Sequence, residues 1–62
     1  MYFEYSHFDI WHKDYPEQKL TAKEAMCKRG ACIKGFRILT SQGLIPFTAD
    51  KHRMEAQEIT GE

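Results

Sequence analysis

No apolar run in this 62-residue chain approaches the roughly 20 residues that a membrane span needs. The opening MYFEYSHFDIW has neither the basic start nor the apolar stretch of a secretory leader. Cysteine is scarce: Cys27 and Cys32 allow one bridge, whereas secreted chains of this size carry several. A soluble, cytoplasmic protein with free thiols and no membrane contact is therefore the expectation. Glycines stand singly at Gly30, Gly35 and Gly43, so there is no phosphate-cradling loop.

The ingredients of catalysis are equally thin. Cys-x4-Cys lacks the second pair that structural zinc sites present, and His7, His12 and His52 are scattered, so no metal or cofactor is expected. Lys28 and Arg29 beside the cysteines favour a thiolate, yet no histidine lies close in sequence to serve as its base. Carboxylates are spread over the two ends and none are paired for acid–base work. A chain this short buries only about 60% of its unfolded surface, and a substrate cleft would compete with the core for the same side chains. A single domain over 1–62 that is not an enzyme follows.

Net charge is zero, but its distribution is uneven. From Lys28 to Arg53 there are six basic residues (Lys28, Arg29, Lys34, Arg37, Lys51 and Arg53) against one acid, Asp50. A basic middle between acidic ends permits an anionic partner on one face. Tyr15, set among charges, is the candidate exposed anchor, while Trp11 is expected to close the core over the helix.

Aromatic residues dominate 2–11, which suits a half-buried strand bent near Ser6-His7. Thr21-Ala22-Lys23-Glu24 has the form of a capping box, with Leu20 as a staple and Gly30 as a stop, so a helix is expected over 22–29. GFRILTSQGLIPFT, residues 35–48, reads two ways. As a hairpin turning at Gln42-Gly43, it avoids a mid-helix Gly35 and puts Pro46 on an edge strand. As a helix ending at Gly43, it uses Ile33, Phe36 and Leu39 at helical spacing. The first is favoured, and the expected fold is α+β, a small antiparallel sheet packed on one helix (β-α-β-β). The alternative is a winged helix-turn-helix. The expected core is Phe3, Phe8, Ile10, Trp11, Leu20, Ala25, Met26, Ile33, Phe36, Ile38, Leu44, Ile45 and Phe47, with part of it left as an exposed apolar patch for a partner or a homodimer. Residues 49–62 stay open between a short helix from Asp50 and a further strand.

Two family resemblances meet on the central stretch. Gly30, Ile33, Lys34, Phe36, Arg37, Gly43, Leu44, Ile45 and Pro46, with Thr21 at a helix start, resemble a MerR- or excisionase-type winged helix. That resemblance implies a DNA-binding regulator contacting duplex through Lys34 and Arg37. Leu20-Thr21 opening a helix, with Arg37-Ile38, Thr40 and Gly43-Leu44 in a hairpin, resembles small phage-encoded inhibitors of the anti-CRISPR and host-polymerase-inhibitor type. The second covers nearly the whole chain. It implies a non-enzymatic protein that modulates a host protein or ribonucleoprotein complex handling nucleic acid, in the host cytosol. Lys28, Arg29, Lys34, Arg37, Arg53 and Tyr15 would then form the partner surface, meeting protein or nucleic acid.

Overall fold

A computed structural model describes residues 5–59; the expectations for residues 2–4 and 60–62, Phe3 among them, lie outside the described residues. Strand β1 spans Ser6–His12, β2 spans Tyr15–Ala25, helix α1 spans Lys28–Ser41, and β3 spans Met54–Ile59 after a short 3-10 turn at Lys51–Arg53. The sheet order is β2-β1-β3, with both outer strands antiparallel to β1. This is the expected α+β class, one helix against a three-stranded antiparallel sheet. Along the chain the elements run strand, strand, helix, strand, so α1 bridges two mutually parallel outer strands across the central one.

The hairpin therefore lies at the front of the chain, not at 33–48, and the capping-box segment is not helical. Residues 15–25 form the edge strand β2. The local preference of Thr21 to Ala25 loses because a helix there would present only Ala22, Ala25 and Met26 to a core. In the structure Ala25 is buried in the sheet and Met26 is 57% exposed. The strand carries its misfit as bulges. Between Phe8↔Lys23 and Ile10↔Leu20, β2 uses three steps where β1 uses two, and Ala22 takes φ 54°. The Ala22 amide donates to Asp9 Oδ1 at 3.3 Å. Pro16 is tolerated because it lies in an edge strand.

The helical reading of 33–43 is the one the molecule adopts. Helix α1 starts one turn before Ala31: Cys27 is the N-cap, and its Sγ accepts from the Gly30 amide at 3.4 Å. Gly30 thus sits in the first turn and stops nothing. Gly43 is the terminator, at φ 73°, in a Schellman arrangement: the Leu44 amide donates to Leu39 O at 2.9 Å and the Gly43 amide to Thr40 O at 3.1 Å. The buried face is Ala31, Gly35 and Leu39, one residue per turn, with Cys32 and Phe36 half-buried beside it.

Strand β1 presents Phe8, Ile10 and His12 to the helix, alternating with less buried residues, and β3 adds Met54 and Ala56. Ala25, Ala31, Leu39 and Ile45 complete the cluster. Of the expected core, Met26, Ile33, Leu44 and Phe47 are exposed. Ile33 points away because the helix turns residues 31, 35 and 39 inward; Phe47 lies in the loop after α1. Trp11 does not close the core over the helix. It alternates with the inward residues Ile10 and His12, is half-buried, and carries Lys19 Nζ at 5.0 Å over its ring.

Candidate interaction surface

Among the described residues, the packing of α1 on the sheet sorts the basic residues into those with an acceptor and those without. On a helix, positions 29, 33 and 37 follow one another at i, i+4 and i+8 and form a single row. That row is Arg29, Ile33 and Arg37, all exposed, on the side away from Ala31, Gly35 and Leu39. Among the described residues neither arginine has a carboxylate within 4.0 Å.

Lys28 and Lys34 point elsewhere. Lys28 Nζ lies 4.0 Å from Glu55 on β3, and Lys34 Nζ donates to the Glu24 carbonyl on β2 at 2.8 Å. Arg53 is clamped to Asp14, with Nε and one terminal nitrogen both 2.9 Å from Oδ1. Tyr15 is half-buried, with its ring tilted against His12 at 5.4 Å between centroids. Of the six residues expected to meet a partner, the fold joins Arg29 and Arg37 on one ridge, ties Lys28, Lys34 and Arg53 to acceptors of the chain itself, and packs Tyr15 against the core.

Beside the ridge lies a groove that sequence reasoning does not anticipate. Lys51 and His52, on the 3-10 turn, face the first half of α1 across a groove of about 500 Å³. Its helix side is Arg29, Cys32, Ile33 and Phe36. Among the described residues no carboxylate lines it. Asp50, next in sequence, directs Oδ1 to the His52 amide at 2.9 Å as the cap of the turn. The signal is present in Asp50-Lys51-His52-Arg53, but the segment it faces favours a strand by local preference. A second concavity, of about 570 Å³, lies around Ser6, Phe8, Met26 and Lys28, where Lys28 is already offset by Glu55.

The start of α1 is electrically unusual. Lys28 and Arg29 occupy the first turn, which holds no acid, so two cations add to the positive end of the helix dipole. That arrangement opposes helix stability. Cys32, on the groove wall, has its thiol pKa raised chiefly by burial and then by the Glu55 carboxylate, against a smaller opposing pull from Lys28. Cys27 is exposed. Among the described residues no three His, Cys, Asp or Glu side chains gather to hold a metal ion, and no helix is long and apolar enough to cross a membrane.

The buried histidine is structural. His12 is 0% exposed, its Nδ1 accepts from the Asp14 amide at 3.1 Å, and its Nε2 lies 2.7 Å from the Asp50 carbonyl. A carbonyl can only accept and an amide can only donate, so the ring is neutral with the proton on Nε2. It ties the β1–β2 turn to the loop that carries Lys51 and His52.

Comparison with known protein families, curated proteins and solved structures finds no match to this chain.

Proposed function

We propose that this protein is a non-enzymatic binding protein that modulates a nucleic-acid-handling protein or ribonucleoprotein complex of a host cell. The observation that carries the reading is the exposed Arg29–Ile33–Arg37 ridge, two cations with no carboxylate within 4.0 Å among the described residues, around an apolar side chain that is 59% exposed. Stability alone would not put arginine in the first turn of a helix. Arginines flanking an apolar contact are what an interface core and rim require. Zero net charge weighs against a protein that relies on phosphate neutralisation over many nucleotides.

Of the segments that carry the phage-inhibitor resemblance, Leu20-Thr21 lie in a strand and Arg37 to Thr40 in a helix. Regulation of the MerR or excisionase type needs a pair of α-helices. The described residues hold one, and Lys34 on it is bonded to Glu24 of β2. The winged helix-turn-helix is thereby corrected.

The test adds the purified protein to reconstituted host transcription and RNA-guided interference reactions. Inhibition of one of them at near-stoichiometric ratio, relieved by Arg29→Glu/Arg37→Glu, is the expected result. Inhibition that the double variant leaves intact would overturn the surface. Tight, sequence-preferring duplex binding that falls steeply with salt would overturn the reading itself.

A further inference from the structure

The groove between α1 and the 3-10 turn shares Arg29 and Ile33 with the ridge, and adds Cys32 and Phe36 from the helix and Lys51 and His52 from the turn. We infer that it seats a short acidic peptide segment with one large apolar side chain, supplied by the partner protein. Ile33, Phe36 and Cys32 form the apolar part, Arg29 stands on the helix wall, and Lys51 and His52 stand opposite. This deepens the binding reading above and rests on it.

Charge complementarity selects the occupant. Arg29 and Lys51 have no carboxylate within 4.0 Å among the described residues, although Lys28 and Arg53, one and two residues away, each have one. The acid that acts on the groove wall, Glu55, is felt at Cys32 and is paired with Lys28. An incoming carboxylate therefore meets cations whose attraction is not already spent. The groove volume, about 500 Å³, fits a few side chains and not a folded element. Nucleic acid suits it less well: a strand brings a phosphate at every nucleotide, and two cations beside Cys32, Ile33 and the single aromatic Phe36 make a short anion-binding site, not a track. A leucine or phenylalanine on Ile33 and Phe36, with an aspartate or glutamate on either side reaching Arg29 and Lys51, satisfies both halves of the groove.

The experiment is selection from a random nonapeptide display library on the whole protein, followed by amide chemical-shift mapping with the consensus peptide. Enrichment of peptides in which acids bracket a large apolar residue is expected, with the largest shifts at Arg29, Cys32, Ile33, Phe36, Lys51 and His52. Arg29→Glu/Lys51→Glu should weaken the consensus peptide by about tenfold or more, since two attractions become repulsions. Ile33→Ser, which keeps the charges, should weaken it as well; all three side chains are exposed, so the fold is kept. No enrichment, a neutral or basic consensus, or shifts centred elsewhere would overturn the inference. So would decanoate or oligo-dT moving the same amides at lower concentration than the peptide. If the peptide fails while Arg29→Glu/Arg37→Glu still relieves inhibition, the occupant is wrong and the binding protein stands. If the peptide binds and no host reaction is inhibited, the groove stands and the host target is wrong.

Discussion

A β-carbon on Gly35 would overlap Cγ2 of Ile10, so the helix lies on the central strand at a distance that only glycine permits. The same atom would stand 3.2 Å from Ile10 Cβ and 3.3 Å from Met54 Cε, leaving no direction in which to yield cheaply. Ile10 is itself fully buried, and its side chain has nowhere to go. This contact sets how closely α1 approaches the sheet, and so how far its outer ridge stands from the sheet.

Gly35→Ala should therefore destabilise the protein by about 1–3 kcal/mol, although alanine is the better helix former by about 1 kcal/mol. Urea denaturation measures it. Ile10→Ala alone removes buried atoms and should cost about 2–5 kcal/mol. Combined, the two should cost clearly less than their sum, because the added methyl enters the space that Ile10 vacates. Strict additivity would mean that the two residues do not touch.

His12→Phe keeps a planar ring, at somewhat larger volume, and removes both hydrogen bonds, leaving the Asp50 carbonyl and the Asp14 amide without their ring partner. A loss of about 1–3 kcal/mol is expected. Long-range proton–nitrogen correlation on the unaltered protein should show the proton on Nε2. A proton on Nδ1 would contradict the assigned tautomer.

Arg53 and Asp14 are both about half exposed, which limits what their ion pair contributes. Arg53→Ala should cost less than about 1 kcal/mol and should leave inhibition of the host reaction unchanged. Arg29→Glu/Arg37→Glu should show the opposite pattern, with unfolding midpoint kept and inhibition lost. A stability loss above that of Arg53→Ala would place the two arginines in the fold's own support.

Cys32 has its pKa raised by burial and Glu55, so its folded value lies above that of the unfolded chain. Above the pH at which an ordinary thiol ionises, about 8.5, the unfolded chain releases a proton that the native state still holds. The native state then binds more protons, and stability falls as pH rises through that window. Cys32→Ala should flatten this alkaline decline. Under native conditions iodoacetamide should modify exposed Cys27 before Cys32, and in urea the two should react alike. Equal rates in the folded protein would show that Cys32 is not shielded.

Several features are legible in the residues without any fold. The aromatic strand containing Phe8 and Ile10 and a break at Gly43 follow from side-chain chemistry that acts within a few residues, although the break serves equally for a hairpin turn and a helix stop. So does the uneven charge between Lys28 and Arg53. The α+β class needs no more than these local signals and a thin core. The location of the helix did not follow from them. Thr21 to Glu24 has better local helix chemistry than Ile33 to Ser41, but local preferences amount to about 1 kcal/mol each, and burial outweighs them. Ala31, Gly35 and Leu39 offer a flat face that Ile10 can meet, whereas Ala22, Ala25 and Met26 do not. Only that long-range packing decided that Arg29 and Arg37 share a ridge, that Lys28, Lys34 and Arg53 are held by the chain itself, and that Lys51 and His52 lie across from Ile33 and Phe36.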